Sequence, residues 1–411
     1  MGTLRTVRTG YGWLAIAALV ATGCRRGGGE PLPNRVPTQA ALAADPGFTT
    51  LCQAAETAQT AAGKLIERTS YYPQQRTMLS QKLAPAVEQA ASVGGAPFVY
   101  EAPGPFDKRP YREGWRIIGK AMVWRIEDAV AAHKPPEAVQ AFLLASRFGF
   151  GLTGGDASDA TLGLSIVDEA RRAILPALPT LDAAGMSKLS QGLKSALAAR
   201  PGPGAVAANE RMRDLRFVQE LQDATLKNDL APFEGSMGRD GRPAVAYLGD
   251  IRQKDKELRA YFDGLTAEVN ARMDQQTALA NKPRSERLDK DGKDLAPKLS
   301  EERPWRRFVT HYVLTMPAYR MMDDTSVART RMLIITAELS RRRKSGQGLP
   351  NDLRPFSEGV RTDPFTGHDF VYRTDGTDWV LHSAGEDLTD NGGETDSAGE
   401  APDLTLEPVK P

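Results

Sequence analysis

The feature that most constrains the fold is the helical spacing of small and aliphatic residues between positions 49 and 346. Apolar side chains recur there every three or four residues, which places them on one face of an α-helix. Proline and glycine pairs interrupt the pattern often enough to end each helix and begin the next. The stretch predicts about ten helices with short breaks, and hence antiparallel helical hairpins in an irregular bundle or an α-solenoid.

Individual helices can be placed from this spacing. One long helix is predicted over 244–280, and the last two helices are predicted over 305–315 and 319–344, separated by Pro317. Ser158 is the expected cap of an earlier helix.

Composition limits the classes of partner. The chain has 411 residues, which is enough for two or three domains. Its 53 basic and 52 acidic residues leave a net charge of +1, so nucleic acid is not an expected partner. No apolar run approaches the roughly 18 residues of a membrane span, which excludes a protein with several spans.

Residues 1–23 have the composition of a secretory signal peptide. Arg5 and Arg8 precede a short apolar run, Trp13–Ala21, and small residues follow it. At about 1.5 Å per residue this run crosses only about half of a hydrocarbon core. The segment therefore predicts a cleaved signal rather than a membrane-spanning helix.

The string ATGC at 21–24 resembles the lipobox of bacterial lipoproteins. The resemblance implies cleavage before Cys24, lipidation of Cys24 with palmitate-type chains, and attachment to a membrane of the cell envelope. Arg25 stands where an Asp retains many lipoproteins in the inner membrane, so the outer membrane is favoured in a cell with two membranes. Two alternatives stay open: a soluble secreted protein, and a Cys24–Cys52 disulfide in a chain without lipid.

The composition changes after position 346. The runs 370–373 and 379–382 alternate as β-strands do, and the residues 374–378 (TDGTD) between them suit a hairpin turn. The predicted organisation is a signal at 1–23, a flexible tether at 24–48, a helical body at 49–345, a β module at 346–398 and a disordered tail at 399–411.

The stretches DPFTGHDFVYR and DWVLHSAGEDLTDNGG of this module are similar to the tail of the major pseudopilin of type II secretion. They also resemble the ends of large uncharacterised envelope proteins of bacteria such as planctomycetes. The resemblance implies a hairpin packed on the preceding helix and an acidic loop that binds calcium. The implied ligands are Asp387, Asp390 and Asp396, with a backbone oxygen from Ser383, and oxygens are the ligands that calcium takes. The alternative is a solvated acidic loop.

No catalytic residues are predicted. The four histidines form no H-E-x-x-H motif, and the chain contains no G-x-S-x-G and no P-loop. Gly149, Gly151 and Gly154 match G-x-G-x-x-G, but a helix precedes them where the dinucleotide motif needs a strand. A loop between helices is the expected structure there.

Three functions are compatible with the sequence. The leading hypothesis is a non-catalytic, lipid-anchored envelope protein that acts as a scaffold or binding module for a protein partner. The second is a secretion-system accessory protein with a calcium-stabilised β module, which depends on the resemblance. The third is a carboxylate-dependent hydrolase, and a pocket with two carboxylates of raised pKa would favour it.

Overall fold

The computed structural model of the protein describes residues 46–63, 73–93, 103–295, 303–313, 316–393 and 403–406. Helices and short breaks alternate along these residues. The described chain is mainly helical with a small antiparallel sheet, which confirms the predicted fold class. The α-helices are α1 Pro46–Ala62, α2 Pro73–Ser92, α3 Tyr111–Ala131, α4 Pro135–Leu152, α5 Ala157–Ile174, α6 Ala183–Ala199, α7 Pro203–Lys227, α8 Ala231–Met237, α9 Arg242–Ile251, α10 Asp255–Ala278, α11 Arg306–Tyr312, α12 Pro317–Lys344 and α13 Glu358–Arg361. Among these helices, none combines the length and the apolarity that crossing a membrane requires.

Proline and aspartate define several helix starts. Pro135 and Pro317 are the first residues of α4 and α12, where the N–H that proline lacks would have no helical partner. The carboxylate of Asp156 accepts the backbone N–H groups of Ser158 and Asp159, each at 3.0 Å, and so caps α5. The cap is thus Asp156 and not Ser158, because Asp156 precedes the first helical residue and reaches the free N–H groups.

The larger hydrophobic core lies among α1–α6 and α12. Trp115 of α3 is fully buried in it and donates its indole N–H to the carbonyl of Leu51 in α1 at 3.0 Å. Helices α4 and α5 cross at Gly149 and Gly163, where a Cβ on either glycine would collide with the other's carbonyl oxygen. The first two glycines of the G-x-G-x-x-G string therefore lie inside α4 and not in a loop, and Gly149 permits this close crossing.

A second, aromatic core lies among α7–α11. Phe217 stacks on Tyr312 with ring centroids 4.6 Å apart, and Phe233 meets Tyr312 edge-on at 5.7 Å. The single helix predicted over 244–280 is two helices, α9 and α10. The turn at 252–254 lets both helices bury apolar residues in this same core.

Helix α12 decides between the two expected helical arrangements. It packs against α5 and α6, which precede it by more than a hundred residues. In a solenoid each repeat contacts only its neighbours, so this return contact identifies an irregular bundle.

The predicted hairpin is present. Strand β1 (Val371–Thr374) pairs antiparallel with β2 (Trp379–His382), with Val371 opposite His382. The segment before it adds Phe365 and Phe370 to the larger core, and the ring of Trp379 lies 4.9 Å from the guanidinium of Arg343 in α12. The hairpin region and the helices therefore share one core.

Residues 403–406 differ from the expected disordered tail. Leu404 exchanges two backbone hydrogen bonds with Ser383, at 2.9 and 3.0 Å, and Asp403 is buried. Leu404 and Leu406 pack against the larger core, which supplies the apolar contact that orders this short segment.

Candidate functional site

A cleft of about 810 Å³ lies where the C-terminal segment meets the helices. Its wall comes from the boundary of α6 and α7, from the residues after α10, from α12, and from the segment 358–368. A cleft of this volume is in the range of small-molecule binding sites.

The turn 363–367 forms one side of the cleft and is fixed by its own polar groups. The Asp363 carboxylate accepts the backbone N–H of Phe365 at 2.9 Å and the Ser383 hydroxyl at 2.8 Å. The backbone N–H groups of Arg284 and Ser285 donate to the carbonyls of Pro364 and Phe365. These bonds attach the turn to the chain after α10 and so fix this side of the cleft.

Two ion pairs fix the α12 side of the cleft, which Arg200, Asp323 and Asp324 line and Arg287 does not. Arg200 pairs with Asp323, and Arg287 pairs with Asp324. All four side chains are largely buried. Charged hydrogen bonds of this kind fix both partners firmly, because an unpaired buried charge is costly.

Two carboxyl groups that line the cleft have raised pKa values. Burial raises the pKa of Asp324 to about 7, although Arg287 opposes the shift. Burial also raises the pKa of Asp363, against the effect of its bonds from Phe365 and Ser383. Both groups hold a proton more strongly than exposed aspartates do.

Arg331 of α12 is a third basic side chain of the cleft wall, beside Arg200 and Lys282. It donates a hydrogen bond to the Thr362 carbonyl at 2.6 Å. Burial lowers its pKa and the neighbouring Arg200 lowers it further, whereas Asp363, Asp323 and Asp324 oppose this shift. Its Nε is buried and has no hydrogen-bond partner among the described residues.

A second group of buried charges, the buried network, does not line the cleft. Its members come from α3, α5, α7 and the residues before α3 and α5, and they are Arg109, Arg112, Asp156, Asp159, Glu210, Arg213 and Asp214. Burial would raise the pKa of Asp156, but Arg112 and Arg109 hold it below its ordinary value. The backbone N–H of Ala157 donates to Glu210 at 2.7 Å and ties α7 to the start of α5.

Glu210 and Asp214 differ from Asp156 of the same network, because burial raises the pKa of both. Asp214 shares Arg213 with Glu210, so two carboxylates depend on one adjacent guanidinium. Burial raises the pKa of Asp214 to about 8, with Arg213 opposing and Glu210 adding to the shift. Its Oδ2 has no hydrogen-bond partner among the described residues, which leaves the charged form poorly stabilised.

The predicted calcium ligands have hydrogen-bond partners within the chain where they are described. Asp387 accepts the N–H of Thr389 at 3.0 Å, and the Ser383 carbonyl accepts the N–H of Leu404 at 2.9 Å. Asp390 belongs to a different group, described next. Asp396 lies outside the described residues.

His382, Asp390 and Asp403 form a cluster whose ligand-type atoms lie within 4.8 Å of one another. The Nε2 of His382 lies 2.8 Å from Asp390 and 3.4 Å from Asp403. His382 is fully buried. Asp403 was not expected here, because it follows the hairpin by some twenty residues and its place depends on the Leu404 pairing.

The contacts of the cluster fit a hydrogen-bonded clamp, in which Asp390 and Asp403 hold the chain at 390–393 against His382, better than they fit a calcium site. Asp403 accepts the N–H groups of Asn391 and Gly393, at 3.2 and 2.6 Å, so both of its oxygens are used. Calcium takes about six to eight oxygen ligands, whereas this cluster offers an imidazole. A histidine that binds metal also donates its other ring N–H, and Nδ1 of His382 has no partner among the described residues. Calcium binding therefore stays a prediction from the resemblance.

The predicted lipidation site, Cys24, lies outside the described residues. Cys52 lies on α1 and is half-buried. Burial, with smaller contributions from Asp159 and Glu56, raises the pKa of its thiol to about 11. A thiol with this pKa is a poor nucleophile at neutral pH.

No protein-family model matches the chain, and comparisons with curated proteins and with solved structures give no significant match. The function proposed next is therefore argued from the cleft and from the residues themselves.

Proposed function

We propose that the protein is a lipid-anchored envelope protein that works as a binding module, with the cleft as its binding site. The observation that carries the proposal is that the acidic side chains of the inner wall already have partners. Asp323 and Asp324 pair with arginines, and Asp363 accepts bonds from Ser383 and the backbone. Such a wall is fixed before any ligand arrives, which favours recognition because little ordering remains to be done on binding.

The anchor is tested by metabolic labelling of the full-length chain with an alkyne analogue of palmitate. We expect label on the wild type and on Cys52→Ser, and none on Cys24→Ser. Cys52→Ser is the matched control because it removes the other thiol of the chain. Equal labelling of Cys24→Ser and the wild type would contradict the anchor.

The binding role is tested by a photo-crosslinking residue at Glu358, on the exposed rim of the cleft. The control position is Arg116, an exposed residue of α3 that does not line the cleft. In intact cells we expect a defined crosslinked product from position 358 and none from position 116. A product of discrete mass would also identify the protein partner predicted from the sequence, whereas identical patterns at both positions would count against the cleft.

A second candidate function is a carboxylate-dependent hydrolase. The observation in its favour is that Asp324 and Asp363, both with raised pKa values, line one cleft. Such an enzyme would lose at least about 100-fold in turnover of envelope polysaccharide in Asp324→Asn and Asp363→Asn. The control is Asp352→Asn, outside the cleft, and turnover unaffected by both cleft variants would remove this candidate.

A further inference from the structure

Ser383 is the first residue beyond the ladder of the two-stranded sheet, and its backbone is held by the C-terminal segment. The ladder ends where His382 faces Val371. Beyond it, the N–H of Ser383 donates to the Leu404 carbonyl at 3.0 Å, and the Ser383 carbonyl accepts the Leu404 N–H at 2.9 Å. Ser383 is fully buried, and buried backbone groups need such partners. The position of Ser383 therefore depends on Leu404.

The side chain of Ser383 connects the C-terminal segment to the cleft. Its hydroxyl donates to the buried carboxylate of Asp363 at 2.8 Å, and that carboxylate accepts the N–H of Phe365 at 2.9 Å. The turn 363–367, which Asp363 begins, contributes to the lining of the cleft. A continuous series of hydrogen bonds thus runs from Leu404 through Ser383 to the cleft wall.

The segment 403–406, the C-terminal latch, is docked by a small number of contacts. Besides the bonds of Leu404, the buried carboxylate of Asp403 accepts two backbone N–H groups of the loop after the hairpin. The guanidinium of Arg171 in α5 donates to the carbonyl of Leu406. The side chains of Leu404 and Leu406 pack against the larger core. Short segments with few contacts are among the parts of a fold that open most readily.

We propose that the C-terminal latch controls the cleft. When docked, it fixes the turn 363–367 through Ser383 and Asp363, and its release frees this wall and weakens binding there. The proposal rests on the cleft being the binding site, as proposed above. A wall that is fixed in advance favours binding, because less ordering is needed when a ligand arrives. Since the latch opens at low free-energy cost, its release acts on the cleft while both hydrophobic cores stay folded.

The test is hydrogen–deuterium exchange of the purified full-length chain in detergent, read by mass spectrometry in peptides covering 360–368 and 383–386. Leu404→Pro removes the N–H that donates to the Ser383 carbonyl, and we expect exchange at least about fivefold faster in both peptides. Ser383→Ala removes the hydroxyl bonded to Asp363 and should speed exchange in 360–368 by as much. The matched control is Asp387→Ala, which removes an acceptor in the exposed loop after the hairpin and should leave exchange in 360–368 unchanged.

The double variant decides whether Leu404 acts on the turn through Ser383. Exchange in 360–368 should be no faster in Leu404→Pro/Ser383→Ala than in Ser383→Ala, because the link is already broken. Peptides of α10 in the aromatic core should exchange as in the wild type, which checks that each variant is folded. If Leu404→Pro fails this check, Asp403→Asn weakens the latch more mildly and takes its place. Unchanged exchange in 360–368 with a disrupted latch, or additive effects in the double variant, would overturn the proposal.

The effect on binding is read from the Glu358 crosslink, whose yield per molecule should fall at least about fivefold in Leu404→Pro and stay unchanged in Asp387→Ala. This readout also separates the two proposals. Coupled exchange with no crosslink in the wild type would remove the binding role and support control of the wall by the latch. A wild-type crosslink with uncoupled exchange, or with an equal yield in Leu404→Pro, would leave the binding role and overturn the latch.

Discussion

The buried network and the cleft wall both carry buried arginines and aspartates, but they differ in what adjoins them. In the buried network, Arg109 and Arg112 are bonded to Asp156 and Asp159 across helix ends, and none of the four lines the cleft. The cleft wall has similar pairs, but its Arg200, Asp323, Asp324 and Arg331 line a cavity. Buried charge alone is thus no sign of function, whereas buried charge that lines a cavity is placed to meet a ligand.

The largest effect is expected from Asp156→Ala in the buried network. The substitution removes the α5 cap and leaves Arg109 and Arg112 without this partner. Breaking a buried ion pair in this way should lower the free energy of unfolding by about 3–5 kcal/mol, measured in urea. The control Asp128→Ala removes an exposed pair with Arg76 and should cost less than about 1 kcal/mol. Equal losses would mean that the network is not the stabilising feature we describe.

The next effect is the pH dependence caused by Asp214. Its pKa of about 8 in the folded chain exceeds the ordinary value of 3.8, so the unfolded chain releases a proton that the folded chain keeps. Stability should therefore fall as pH rises from about 4 to 8, by at most about 1.4 kcal/mol per pH unit. Unfolding free energies at pH 5, 6.5 and 8 should show a flatter profile in Asp214→Asn. The exposed Asp274→Asn should keep the wild-type profile.

Asp324 should give a smaller effect of the same sign. Its pKa is about 7, so it releases its proton over a narrower range. Asp324→Asn should reduce the loss of stability mainly between pH 5 and pH 7 and only slightly between pH 7 and pH 8, whereas Asp214→Asn alters both intervals. A change confined to the upper interval would contradict the assignment.

The smallest effect concerns calcium. The resemblance predicts that calcium at ten times its Kd stabilises the chain by about 1.4 kcal/mol, and that it changes the fluorescence of Trp379. Melting temperature and fluorescence, each with calcium and with chelator, measure this, and Asp390→Asn should abolish both changes. No change in either quantity would remove the calcium site and leave the hydrogen-bonded clamp at His382.

The sequence predicted those parts of the fold that depend on local pattern. Helical spacing, proline breaks and the alternation around TDGTD placed the helices and the hairpin close to their true bounds. The break between α9 and α10 was missed, because apolar spacing continues across 252–254 and only the shared aromatic core requires the turn. The return of α12 to α5 and α6 was also hidden, since spacing along a chain does not specify distant partners.

The candidate site was hidden for the same reason. Arg200 and Arg331 are more than a hundred residues apart, and neither stands in a motif. Asp363 was noted only within the stretch that resembles the pseudopilin tail, and Asp403 was assigned to the disordered tail. The signal that could have drawn attention to Arg331 is its position among the apolar residues of α12, where an arginine needs a partner or a ligand.

The most direct test of the contrast between the two regions is the free energy of unfolding of Arg331→Gln beside that of Arg112→Gln. We predict that Arg112→Gln loses about 3 kcal/mol, because it leaves Asp159 buried without its arginine. Arg331→Gln should lose less than about 1 kcal/mol, because Arg331 forms no ion pair among the described residues and glutamine keeps a donor for the Thr362 carbonyl. An equal or greater loss in Arg331→Gln would show that Arg331 is a structural residue and would contradict the account.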